Sequence, residues 1–256
     1  MNGKNTFSEA LATPEQVLAI FQDWQRLEWG STLDAKQILS FDTTVKDWRD
    51  DCELQGWQQL AEALNKFFST AFSNDEWRAV MKPEKQKTLR DVCLLVASRA
   101  SLPKVGELKV FGKPCKTASA FFALRSYLQL AGLDVARLRP STKLDSCLRL
   151  HSQAVIEVIT KLAPGKMPLM KTKFNLGHRL SGWACLTGLL TLVAGGILER
   201  PEWTVAGCLI LLFAFIAVTV FSNLPPAVVR LEGLETFGDL SRWIAAGSIG
   251  TKGIHR

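Results

Sequence analysis

The chain has 256 residues, 47% of them hydrophobic, and a formal net charge of +7. That length leaves room for one or two small domains beside one long apolar tract. Six cysteines (Cys52, Cys93, Cys115, Cys147, Cys185 and Cys208) are scattered with no C-x-x-C pair, which excludes a zinc-ribbon signature and fits reduced thiols in a cytosolic compartment. No low-complexity tract or obvious repeat is present.

Charge divides the chain. Residues 1–80 carry 7 Lys/Arg against 13 Asp/Glu, and residues 81–179 carry 19 against 6. An acidic helical segment (1–80) therefore precedes a basic helical segment (81–165) and a basic linker (166–179). The basic part points to anionic lipid headgroups as a partner. Nucleic acid, the other natural partner of such charge, ranks below lipid because the basic part abuts the apolar tract.

The start, MNGKNTFSEA, lacks the apolar core of a secretory signal, so the N-terminal part is expected inside the cell. Thr13-Pro14-Glu15-Gln16 reads as a capping box with Pro at the first helical position. Val17, Phe21, Trp24 and Leu27 follow at helical spacing. Leu54, Trp57, Leu60, Leu64, Phe67 and Phe68 mark a second amphipathic helix. Trp24, Trp57 and Phe67 read as core rather than as a ligand platform. Ser73 with Glu76 forms another capping box, and Leu89, Val92, Cys93 and Val96 another stripe. The Gly- and Pro-rich stretch Ser101 to Cys115 reads as a loop with a short strand from Glu107 to Phe111. A helix from Thr117 ends at Gly132, and the next runs from Asp145 to Leu162.

Two uncharged runs follow, Leu180–Leu198 and Trp203–Phe221, joined by Glu199-Arg200-Pro201-Glu202. Each run of about 19 residues rises roughly 28 Å as a helix, close to a hydrocarbon core. The expectation is a two-helix transmembrane hairpin over 180–221, with spans 180–198 and 203–221, and a short cytoplasmic tail with one helix over 222–256. Trp183 and Trp203 sit where interfacial aromatics belong. Ala184, Gly188, Thr191 and Gly195 share one helix face, which lets a second helix approach. Lys161, Lys166, Lys171, Lys173 and Arg179 precede the runs, and Arg230, Arg242, Lys252 and Arg256 follow them. This asymmetry places both termini on the cytoplasmic side of a multi-pass integral protein, expected in a bacterial inner membrane.

Chemistry-bearing residues are sparse. Cys147 and His151 are four apart on one predicted helix, the spacing a thiol and its base would need. No third group joins them, so ordinary placement is the reading. Asp47, Asp50, Asp51 and Glu53 could face a cation, but they lack the EF-hand loop pattern and read as a solvated face. No phosphate-binding glycine loop, nucleophile elbow or H-E-x-x-H appears, and no metal or cofactor is expected from the residues themselves.

From Gly132 the chain reads "GLDVARLRPSTKLDSCLRLHSQAVIEVITKLAPGKMP", and further on "LETFGDLSRWI" (Leu234 to Ile244). These patches resemble the central part and the last helix of acyl carrier protein-like domains. The resemblance covers under a third of the chain and is interrupted by the apolar hairpin. It implies Ser152 as the attachment position of a phosphopantetheine. Ser152 stands in His151-Ser152-Gln153, without the Asp and Leu of the family's Asp-Ser-Leu motif. Together these features give a mainly α protein: a helical cytoplasmic region on a membrane hairpin. They point to a non-catalytic membrane-anchored adaptor or regulator with an unidentified protein partner; the alternative is a membrane-tethered carrier-like protein.

Overall fold

In the structure, a computed structural model, residues 7–29, 38–52, 56–173, 176–197, 201–222 and 228–247 are described. Among them the elements run β1 (Phe7–Leu11), α1 (Pro14–Trp29), α2 (Val45–Asp51), α3 (Trp57–Phe68), α4 (Asn74–Met81) and α5 (Leu89–Ala97). Then come β2 (Ser101–Val105), β3 (Lys109–Val110), β4 (Lys113–Pro114), α6 (Lys116–Leu130) and α7 (Leu144–Leu162). The chain closes with β5 (Met170–Lys173), α8 (Leu176–Ile197), α9 (Pro201–Ser222), β6 (Val228–Leu231) and α10 (Phe237–Gly247). The fold is mainly α. It divides into two units: Met1–Leu144 with Gln153–Met170 and Leu231–Arg256, and Asp145–Ser152 with Lys171–Arg230.

The first unit begins with helices whose starts are set by side-chain caps. Thr13 and Gln16 exchange hydrogen bonds at the start of α1, each backbone N–H donating to the other's side-chain oxygen. Ser73 and Glu76 do the same for α4, and Thr44 accepts from the Asp47 N–H at α2. Each box satisfies backbone donors that a helix start leaves without partners. The apolar stripes behind these caps make one core. Val17, Ile20 and Phe21 of α1, Leu64 of α3, Trp77 and Met81 of α4, and Leu89, Val92 and Val96 of α5 are all fully buried in it. β1 and β2 pair antiparallel beside this core, from Phe7↔Val105 to Leu11↔Ser101.

A second group of helices follows in the same unit, apart from Asp145–Ser152 of α7. α6 ends at Gly132, whose φ of 85° suits a residue without Cβ, and the Leu133 N–H closes the end on the Leu128 carbonyl. α7 is two helical segments joined at His151, whose φ of −135° and ψ of 36° are not helical. α10 packs against α6. Phe121, Leu124 and Leu128 of α6, Val155 and Ile159 of α7, and Phe237, Leu240 and Ile244 of α10 supply the buried positions.

These two groups are copies of one motif. In the first, Thr44 and Thr88 form an antiparallel bridge just before α2 and α5. The Val45 N–H donates to Lys87 (2.9 Å) and the Leu89 N–H to Thr43 (2.9 Å). In the second, Lys143 and Thr236 bridge just before α7 and α10. There the Leu144 N–H donates to Glu235 (2.9 Å) and the Phe237 N–H to Thr142 (3.0 Å). The agreement extends outward. Arg90 N–H donates to Phe41 and Gly238 N–H to Pro140. The Ser40 and Arg139 N–H groups each donate to a threonine hydroxyl, Thr43 and Thr142, at 2.9 Å. Thr88 with Asp91, and Thr236 with Asp239, cap the last helix in the same way. Aligned by these bonds, Thr88-Leu89-Arg90-Asp91-Val92-Cys93 matches Thr236-Phe237-Gly238-Asp239-Leu240-Ser241. In chain order α1, α2, α3 and α5 correspond to α6, the two segments of α7, and α10. β5, α8, α9 and β6 stand where the first copy has α4.

In the second unit α8 and α9 pack side by side along their length. Their glycines make that approach possible. A Cβ on Gly207 would lie 2.7 Å from the Leu192 backbone nitrogen, and one on Gly188 would lie 3.0 Å from Ile210 and Leu211 side-chain atoms. Thr187, Thr191 and Thr219 donate back to the carbonyls four residues earlier, each at 2.8 Å. Arg230 pairs with Asp145 at 3.0 Å.

The two expected helices are thus present, with bounds close to those predicted, but the membrane reading is corrected. Among the described residues no helix is long and apolar enough to cross a membrane. Apolar composition favours a helix without by itself fixing a bilayer crossing, and α8 carries His178, Arg179, Ser181, Thr187 and Thr191 among its apolar residues. The transmembrane hairpin, the multi-pass integral location and its assignment to a bacterial inner membrane are withdrawn with it. The tip at 198–200 lies outside the described residues.

Candidate functional site

The site grows out of the aromatic residues of the first copy. α1 presents Phe21 and Trp24, α2 presents Trp48, and α3 presents Phe67 and Phe68. Phe21 stacks on Trp48 with ring centres 4.9 Å apart, and Trp24 meets Phe67 edge-on at 4.7 Å. Phe67 and Phe68 meet at 4.9 Å. Such ring pairs contribute about 0.5–1.5 kcal/mol beyond the area they bury. Rigid rings tile imperfectly, and beside these lies a cavity of about 560 Å³. Phe21, Trp24, Trp48, Leu60, Leu64 and Phe67 form its apolar wall, and Gln25, Glu28, Lys66, Gln153 and Glu157 supply its polar groups. The volume falls within the range of small-molecule sites.

Polar contacts hold the walls. The Gln22 amide donates to the Leu39 carbonyl (2.7 Å), and the Leu39 N–H donates to Gln25 (3.3 Å). Lys161 pairs with Glu157 at 2.8 Å and lies 4.6 Å over the Phe67 ring. On the other side of α1, Asp23 is fully buried and accepts from the Gly165 N–H (2.7 Å) and the Met167 N–H (3.0 Å). Arg26 bonds both Asp23 and the Gly165 carbonyl. Burial pushes the Asp23 carboxyl above its usual range, against the pull of the Met167 N–H and Arg26. Gly165 has a φ of 81°, and a Cβ there would sit 3.0 Å from that of Ala19. This latch fixes α1 against the turn that follows α7.

Cys52 also lines the cavity. Burial, with help from Glu28 and Asp51, pushes its thiol up to about 11. It is therefore protonated near neutral pH and is an apolar wall atom rather than a nucleophile.

The residues singled out from sequence fall elsewhere in the fold. Cys147 is partly buried, burial raises its pKa, and no hydrogen bond joins it to His151. Asp47 accepts from the Thr44 hydroxyl at 2.7 Å, and Asp50 pairs with Lys46. Asp51 is exposed, and Glu53 lies outside the described residues. Among the described residues no group of three His, Cys, Asp or Glu side chains could hold a metal ion. Ser152 is half-buried and opens the helical segment after the break at His151. The cavity is not visible in the sequence. Trp24 and Phe67 stand at helical spacing, but nothing in that spacing distinguishes a ring that completes a core from one that borders a void.

No family model, curated protein or solved structure matches the chain.

Proposed function

We propose that this chain is a non-catalytic adaptor or regulatory protein that binds through the cavity walled by the aromatic residues of its first copy and bordered by Gln153 and Glu157 of α7. The observation that carries the reading is the cavity itself: an apolar body of rings with polar groups of both charge signs, on a fixed frame. Its wall suits a small aromatic ligand or an aromatic side chain of a partner protein. Cys52, the thiol in that wall, is protonated near neutral pH, which favours binding over chemistry.

Calorimetric titration of the full chain with 1-naphthol tests this reading. Ala63 of α3 also lines the cavity, and saturable binding is expected, weakened at least about tenfold by Ala63→Trp, which fills it. Binding unaffected by that substitution would place the ligand elsewhere and remove the basis of the reading.

A second reading, a carrier-like protein, is favoured by one feature. Ser152 begins a helical segment after a break in the helix, the local setting that the resemblance requires of an attachment serine. The intact mass of the protein from its native host tests it. A phosphopantetheine-sized adduct mapped to Ser152 would support this reading, and an unmodified Ser152 would leave the cavity reading alone.

A further inference from the structure

Charge pairing is uneven over this molecule. Lys46, Lys82, Arg90 and Arg99 each face a carboxylate of the first copy. Lys66, Arg78 and Lys85 of that copy are exposed with no ion pair to a described residue but lie scattered, whereas around the small hairpin β3–β4 such cations are gathered. Lys104, Lys109, Lys113 and Lys116 are exposed and make no ion pair with any described residue. Glu107 is the one acidic residue between Lys104 and Lys116.

The tip of this hairpin is unusual in a second, independent way. β3 and β4 pair as Lys109↔Pro114 and Val110↔Lys113, which leaves Phe111 and Gly112 as a two-residue loop. Both have positive φ, 50° and 76°. Such loops favour Asn-Gly, because only small or self-bonding residues enter the left-handed region without strain. Phe111 does so with its ring fully in water, at 101% exposure. Neither local preference nor burial explains a phenylalanine there, and strain of this kind points toward function.

We propose that the β3–β4 hairpin docks the chain peripherally on an anionic lipid surface. Phe111 enters the boundary between headgroups and acyl chains, where aromatic rings are favoured. Lys104, Lys109, Lys113 and Lys116 meet the anionic headgroups, their aliphatic stems lying along the apolar layer. The composition favours lipid over nucleic acid. The hairpin carries lysines and no arginine fork, and one isolated ring rather than a platform for successive bases. The proposal is independent of the cavity reading.

The test is flotation of the full chain with phosphatidylcholine vesicles, with or without phosphatidylserine at roughly one third of the lipid. The wild type is expected to prefer the anionic vesicles, and salt should weaken that preference. K109E/K113E should reduce binding to anionic vesicles more than roughly tenfold, since each charge near the surface contributes about fivefold. Phe111→Asn, which suits the same backbone and keeps the hairpin folded, should reduce it about fivefold while retaining the salt dependence. K109E/K113E should leave binding to neutral vesicles unchanged, whereas Phe111→Asn should lower whatever binding they show, because the ring enters either lipid surface. Anionic binding unchanged in K109E/K113E, or in Phe111→Asn, would overturn the proposal. So would a wild type without preference for anionic vesicles whose hairpin variants lose salt-dependent binding to single-stranded DNA. Ala63→Trp should leave the vesicle preference intact, which separates this result from the fate of the cavity reading.

Discussion

The two copies share a backbone and differ in what they do with it. Each is tied by the same reciprocal pair of backbone hydrogen bonds and by the same Thr–Asp cap on its last helix. The first fills the frame with rings, Phe21, Trp48, Phe68 and Trp77, and keeps a cavity beside them. The second fills its own mostly with aliphatic chains, among them Leu124, Leu128, Ile159, Leu240 and Ile244. It also admits β5, α8, α9 and β6 at the point where the first has α4. The frame is thus specified by few residues near the bridge, because backbone groups carry most of its bonds. Outside those residues the two differ: the first carries the ring-walled cavity and the second the elements β5, α8, α9 and β6.

The largest test of this comparison is the latch beside α1. Asp23→Ala leaves two backbone donors and Arg26 without their acceptor. It should cost about 3 kcal/mol in urea unfolding of the full chain. A loss well under 1 kcal/mol would mean that α1 is held by apolar packing alone.

Gly207→Val addresses the insertion. The added side chain meets the Leu192 backbone, so the α8–α9 pair should lose about 2 kcal/mol. Hydrogen exchange should speed up in α8 and α9 and stay unchanged in α5 and α10. A matching loss in α5 and α10 would mean that the frames depend on the insertion.

Equivalent caps should carry equivalent energies. Thr88→Val and Thr236→Val should each cost about 1 kcal/mol, within a few tenths of one another. Asp239 adds a pH signature. Its bonds from Thr236 hold its carboxyl below the ordinary value of 3.8. Its stabilisation is therefore present above that value and lost as pH falls through the lowered folded one. Asp23 has the opposite sign: its raised carboxyl favours the folded state below 3.8 and loses that advantage as pH rises through its folded value. Acid titration of Asp239→Asn should lack the first component and keep the second.

The smallest effect belongs to the hairpin. Phe111→Asn relieves a left-handed phenylalanine and should raise stability by about 0.5–1 kcal/mol while weakening the proposed lipid docking. Loss of stability instead would mean that the Phe111 ring supports the fold.

What could be read from sequence was what is local. The boxes Thr13–Gln16 and Ser73–Glu76 and the glycine end at Gly132 all form as their spacing predicts. β1 was not legible, because its partner β2 lies some ninety residues away and neither strand alternates strongly. The break at His151 carries no Gly or Pro to mark it. The shared bridge motif is hidden because only Thr, Asp and a few apolar positions around each bridge recur. In the apolar tract, helix formation followed from composition, while a crossing of the bilayer did not. The cavity needs α1, α2, α3 and α7 brought together, and no single stretch encodes it.

The central claim is that the ring wall of the first copy binds and the aliphatic core of the second does not. The most direct measurement is a map of NMR chemical shifts as 1-naphthol is added to the full chain. The account predicts saturable changes at the Trp24 and Trp48 indole N–H groups and along α1 to α3, with the matching backbone of α6 and α10 unmoved. Shifts spread equally over both copies, or absent from Trp24 and Trp48, would contradict it.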